Sequence, residues 1–131
     1  MTRTHETVRD LPSSKDLYPT PKSAADGIEN VLRILDGSWK QLILFHLFGG
    51  KVLRFSELER EIPAISQKML AQQLRQLEKD GIVRRIVHAQ VPPKVEYCLT
   101  DWGQALCPVL DALLMWAAHR PADPPGDKRR S

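Results

Sequence analysis

At 131 residues the chain can build one small core and has no room for a second ordinary domain. Its 42% hydrophobic content fits a globular protein, and no apolar run reaches the length of a bilayer span. Two cysteines, Cys98 and Cys107, make no disulfide framework or metal-ligand spacing. The first ten residues are polar and lack the apolar run of a secretory leader, so a cytoplasmic setting is expected.

Residues 1–22 carry Pro12, Pro19 and Pro21 without usable periodicity and read as a flexible arm. A first helix is predicted from Ala24 to Leu35, because Ile28, Val31, Leu32 and Leu35 fall on one face. Asp36-Gly37 breaks it. Ser38 and Gln41 form a candidate capping box for a second helix. Its body, Leu42 to Phe48, is apolar except for His46 and predicts burial on most sides. After Gly49-Gly50, Lys51 to Phe55 suits a brief strand. A third helix is expected with Ser56 as cap, Glu59 as its reciprocal partner and Leu58 and Ile62 on the buried side. Pro63 stops it.

A fourth helix is predicted over residues 66–79. Leu70, Leu74 and Leu77 form its core stripe, and Lys68, Gln72, Arg75 and Lys79 point the opposite way. Gly81 suits the left-handed position beyond its end. The period then changes to that of strands. Residues 82–88 and 95–99 flank Val91-Pro92-Pro93-Lys94, which predicts a β-hairpin with a stiff tip. A last helix, residues 101–119, carries Leu106, Val109, Leu110, Leu113 and Trp116 on a broad apolar side, and Pro108 inside it predicts a kink. Residues 120–131 read as a disordered, charged tail, leaving 23–119 as the folded domain.

The formal charge of +3 is a weak signal, but its distribution is informative. Residues 66–94 hold six cations (Lys68, Arg75, Lys79, Arg84, Arg85, Lys94) against Glu78 and Asp80, a net +4, so the rest is about neutral. Two helices joined by the short turn Pro63-Ala64-Ile65 fit a helix-turn-helix, and a hairpin directly after the second makes the winged variant. The predicted fold is therefore mainly α with a small β-wing. Ser66, Gln67, Lys68, Gln72 and Arg75 are candidate contacts to a DNA major groove or its flanking phosphates. Lys94 is the candidate on the wing, and Arg54 and Ser56 are candidates at the start of the third helix. Lys79 is read as solvent-facing. Arg84 and Arg85 alternate across a strand, so at most one faces DNA, and the sequence does not say which.

Asp36-Gly37-Ser38-Trp39, Arg54-Phe55-Ser56-Glu57-Leu58, residues 65–70, residues 74–81 and Val91-Pro92-Pro93-Lys94-Val95-Glu96-Tyr97-Cys98-Leu99-Thr100 occur in this order. Together they resemble the HxlR-type winged-helix regulators over roughly Ile28 to Trp116. The resemblance implies a homodimeric bacterial transcription regulator that binds double-stranded DNA at a roughly palindromic operator. It also implies that the first and last helices form the dimer interface, through Ile28, Val31 and Leu32 and through Leu106, Leu110, Leu113 and Trp116. Periodicity alone shows those helices to be amphipathic and not what they pack against. Many such regulators carry a Cys-Pro pair near the first helix, in some a thiol switch. The matching position here is Asp26-Gly27, which has no thiol.

Cys98 and Cys107 read as small core residues, and the scattered His5, His46, His88 and His119 give no metal-ligand spacing. No cofactor is expected. No nucleophile–base pair, paired carboxylate or phosphate-binding loop stands in plausible context, so an enzyme is not expected. Two other readings stay open: a winged helix that docks on proteins without DNA, and a sensor gated by a small-molecule effector.

Overall fold

The computed structural model describes residues 13–122. The first part of the expected arm, 1–12, and most of the expected tail, 123–131, lie outside the described residues. The chain divides into two compact units, one ending at Gly37 and one beginning at Ser38.

The first unit holds α1 (Ser14–Leu17) and α2 (Pro21–Leu35). Both lie partly or wholly in the segment expected to be irregular. Each starts from a reciprocal cap. The Asp16 N–H donates to Ser13 Oγ at 3.4 Å while the Ser13 N–H donates to Asp16 Oδ2 at 3.1 Å. The Ser23 N–H donates to Thr20 Oγ1 at 3.0 Å, and the Thr20 N–H returns to Ser23 Oγ at 3.1 Å. Pro21 occupies the first turn of α2, where its missing N–H costs nothing, and the helix starts there instead of at Ala24. The Tyr18 ring lies against Gly27, where an added Cβ would come within 2.7 Å of Tyr18 Cε1. Asp26 sits inside α2 as the exposed partner of Lys22 at 3.1 Å.

In the second unit the order is α3 (Ser38–Leu47), β1 (Leu53–Arg54), α4 (Phe55–Glu61), α5 (Gln67–Lys79), β2 (Val83–His88), β3 (Lys94–Leu99) and α6 (Asp101–Ala118). Ser38 is the first residue of α3 and not the residue before it; Gly37, at φ 115°, makes the break ahead of it. The three helices α3, α4 and α5 bury Ile43, Leu44, Leu47, Leu58, Leu70, Leu74 and Leu77 against one another and against Ile82, Val83 and Leu99 of the sheet end. Burial of one such side chain stabilises by roughly 1.5–3 kcal/mol, so this cluster supplies most of the unit's apolar driving force. α3 is less enclosed than its composition suggests. Leu42 and Phe45 are exposed, and Phe45 packs edge-on to Phe48 with ring centres 5.3 Å apart.

The sheet is antiparallel, in the order β1-β3-β2. The hairpin pairs Val83 with Leu99, Arg85 with Tyr97, Ile86 with Glu96 and His88 with Lys94. β1 adds Leu53 opposite Tyr97 and Arg54 opposite Glu96, a pairing between distant segments. The mainly α winged-helix architecture expected from the sequence is the one observed. Pro108 lies within α6, which continues to Ala118.

Thr100 joins three elements. Its hydroxyl donates to the Gly81 carbonyl at 2.7 Å and accepts the Gly103 N–H at 3.0 Å, which caps α6. Its backbone N–H donates to the Ile82 carbonyl at 2.9 Å. Gly103 is buried, and a Cβ there would collide with the Ile82 carbonyl oxygen.

Candidate nucleic-acid interface

The turn before α5 is held by the Ile65 N–H, which donates to the Ile62 carbonyl at 3.1 Å, with both isoleucines buried. That anchoring leaves Pro63, Ala64 and Ser66 outside. Ser66 caps α5 as expected: its Oγ accepts the Met69 N–H at 3.0 Å. The far end closes on Gly81 at φ 80°, with the Gly81 N–H bonded to the Glu78 carbonyl at 3.1 Å and the Ile82 N–H to the Leu77 carbonyl at 2.9 Å. This is a Schellman closure, and Leu77 and Ile82 supply its usual apolar contact. A helix locked at both ends and along its leucine stripe presents a rigid outer face.

That face holds Ser66, Gln67, Lys68, Gln72 and Arg75, all exposed, so the structure brings five of the eight candidate contacts onto one helix. Among the described residues, Lys68 and Arg75 make no ion pair. α4 starts two residues earlier than expected. The Glu57 carboxylate reaches back to accept the Arg54 N–H at 2.7 Å, so Arg54 occupies the cap position and Ser56 lies within the first turn. Both side chains are exposed.

Lys94 is the first residue of β3, next to the hairpin loop. Its Nζ lies 3.6 Å from Glu96 Oε2, and only 29% of its side chain is exposed. Glu96 also accepts a 2.7 Å hydrogen bond from His88 Nε2. The His88 hydrogen bond is the main cause holding the Glu96 carboxyl below the usual glutamate value; partial burial opposes it, and the Lys94 charge adds to it. The wing's predicted cation is thus occupied inside the hairpin.

The register separates the two neighbouring arginines. Arg84 shares the hairpin face of Glu96, Lys94 and His88, and Arg85 shares that of Tyr97. Between the Arg85 face and α5 lies an open cleft of about 360 Å³, lined by Ala71, Arg75, Glu78, Arg85 and Tyr97. Arg85 therefore stands beside the candidate helix, although sequence reading left it undecided. The parity was visible there; the partner to which the parity refers was not.

The residues expected at a dimer interface divide by exposure. Ile28, Val31 and Leu32 are exposed along α2. On α6, Leu113 and Trp116 are exposed, Trp116 at 79%, together with Val109, Leu114 and Met115. Leu106 is half-buried and Leu110 is already buried within the chain. Cys98 is buried, Cys107 is half-buried, and neither is disulfide-bonded. Among the described residues, no group of three or more metal-capable side chains occurs, and no helix is long and apolar enough to cross a membrane.

A family model described as HxlR-like helix-turn-helix matches residues 34–123. The uncharacterized HTH-type transcriptional regulator YtcD of Bacillus subtilis (strain 168) is 53% identical over 92 residues, which are 70% of this chain and 72% of the relative. The solved structure of the redox regulator HypR in its reduced form superposes with a TM-score of 0.64 at 41% identity, covering 80% of this chain and 94% of that one. A protein assigned to the MarR family of transcriptional regulators, from Enterococcus faecalis V583, gives a TM-score of 0.68 at 38% identity over 72% of this chain and 84% of its own.

Proposed function

Since the chain belongs to the HxlR-like helix-turn-helix family of transcriptional regulators, we propose that it binds duplex DNA sequence-specifically as a cytoplasmic homodimer. The observation that carries this reading is the division of α5: three leucines are buried, and an unpaired Gln, Lys and Arg face is open to solvent. Arg and Lys read guanine, and Gln reads adenine, in a major groove. A protein-docking winged helix would need an apolar outer face, and α5 has none.

Dimerisation is supported by the two apolar faces on α2 and α6, which are large for a monomer to leave in water. Leu113, Trp116 and their neighbours Val109, Leu114 and Met115 on α6, with Ile28, Val31 and Leu32 on α2, are the side chains proposed to meet a second copy. A two-fold axis would place two α5 helices about 34–36 Å apart and make the operator roughly palindromic. Ser66, Gln67, Lys68, Gln72 and Arg75 would contact the groove and its edges, and Arg54 and Ser56 an adjoining phosphate.

The test is in vitro selection of a preferred duplex, followed by anisotropy titrations across a salt series. Lys68→Ala is expected to weaken binding, and a lost phosphate contact would lower the slope of log K against log salt by about 0.9. A substitution that altered neither affinity nor slope, or a purified protein that bound no duplex in dilute buffer, would refute the assignment.

A further inference from the structure

A helix in the major groove and a wing over the next minor groove must straddle one sugar–phosphate strand, because that strand is all that separates the two grooves. On this chain the space beneath such a strand is the cleft between α5 and the hairpin, lined by Ala71, Arg75, Glu78, Arg85 and Tyr97. We propose that this cleft seats a DNA backbone phosphate between Arg75 and Arg85, and that Arg85, in place of Lys94, is the wing's contact to DNA. The proposal rests on the DNA-binding reading above and adds the residue and the strand.

Three observations carry it. Arg75 and Arg85 come from different elements, both are exposed, and both line the same cleft. Neither makes an ion pair among the described residues, whereas Lys94 lies 3.6 Å from a carboxylate. The charges of the lining side chains leave the cleft net positive, with two guanidiniums against the single carboxylate of Glu78. Guanidinium forks match phosphate oxygens bidentately. Tyr97, paired across the strands with Arg85, adds a phenol within the same lining. Ala71 is small enough to leave the cleft open on the helix side.

The experiment compares Arg85→Ala, Arg85→Lys and Arg84→Ala with the unaltered protein. Each is titrated against the selected duplex and a scrambled duplex of equal length, over a salt series, with thermal melts to check folding. Arg85→Ala is expected to lower the salt slope by about 0.9 and weaken both duplexes alike, by roughly eightfold at 0.1 M salt, because a phosphate contact carries no sequence information. Arg85→Lys should recover most of the slope, and Arg84→Ala should keep all of it, since that side chain lies on the opposite hairpin face.

A folded Arg85→Ala protein with an unchanged slope overturns the proposal and leaves the wider reading intact. Equal losses from Arg84→Ala and Arg85→Ala also overturn it, because they would report a diffuse field and no cleft. If the unaltered protein bound neither duplex, both readings would fall. Should Arg85→Ala fail to fold, Arg85→Lys and a methylphosphonate scan of the duplex decide the matter. A single neutral phosphate that weakens binding, and whose effect changes in Arg85→Lys, supports the contact. No such position refutes it.

Discussion

Thr100→Val removes one hydroxyl while keeping the β-branched shape, so no cavity contributes to its effect. Two kinds of interaction disappear: acceptance of the Gly103 N–H at the start of α6, and a bifurcated donation beyond the end of α5, to the Gly81 carbonyl at 2.7 Å and more weakly to the Ile82 carbonyl at 3.3 Å. Loss of an N-cap costs about 1 kcal/mol. The second bond is worth about 0.5–1 kcal/mol, at the lower end of the usual range because Gly81 is open to water. The expected total is about 1.5–2 kcal/mol, on the order of 10 °C in Tm for a domain of this size. Urea unfolding at one fixed protein concentration is the appropriate assay, since the apparent stability of the proposed dimer would vary with concentration. The midpoint should fall while the slope stays constant. Thr100→Ser should lie within about 0.5 kcal/mol of the unaltered protein, because it retains both bonds. A loss below about 0.5 kcal/mol for Thr100→Val would mean that water replaces both partners at no cost, and the joining role given to Thr100 would be wrong.

Gly103→Ala should cost about 1–3 kcal/mol in the same assay, because the new methyl meets the Ile82 carbonyl oxygen and backbone has to move; an unchanged midpoint would show that α6 shifts freely. The depressed Glu96 titration predicts a stabilising contribution fully present above the ordinary glutamate value of 4.5 and lost as pH falls through the lowered value. Melting the protein beside Glu96→Gln from neutral pH downward should show the gap between them closing only in that acid range, and a gap that stays constant throughout contradicts it. Leu113→Glu and Trp116→Glu, both on the exposed face of α6, should each shift the protein toward monomer in sedimentation velocity. Undiminished dimer in both variants would move the interface elsewhere.

What could be read from the chain followed the locality of the signals. α5 is announced by a capping serine, a leucine stripe and a terminal glycine, all within its own residues, and its bounds came out within one position. The start of α2 was hidden because Pro19 and Pro21 look like breakers; only the Thr20 cap reveals that Pro21 opens a helix. The apolar run of α3 predicts burial on most sides, yet composition cannot say how many neighbours arrive, and Leu42 and Phe45 remain exposed. β1 pairs with a strand some forty residues away, which no local pattern encodes. The pairing of Lys94 with Glu96 follows from a simpler rule. Lys94 stands two positions from Glu96, and period-two geometry puts them on one face. The helical half of the candidate interface was therefore legible, and the wing half needed the register.

The shared carboxylate of Glu96 also shapes how the molecule looks from a distance. With the Lys94 ammonium balanced by it and His88 hydrogen-bonded to it, the outer blade of the hairpin projects almost no field. The surplus positive charge is gathered at the blade's root, where Arg85 shares a cleft with Arg75 of the helix. In the proposed DNA complex a polyanion would be drawn to the root first and meet the tip last, so the charges at the base would govern the speed of encounter while the tip could vary in length or sequence with little effect on it.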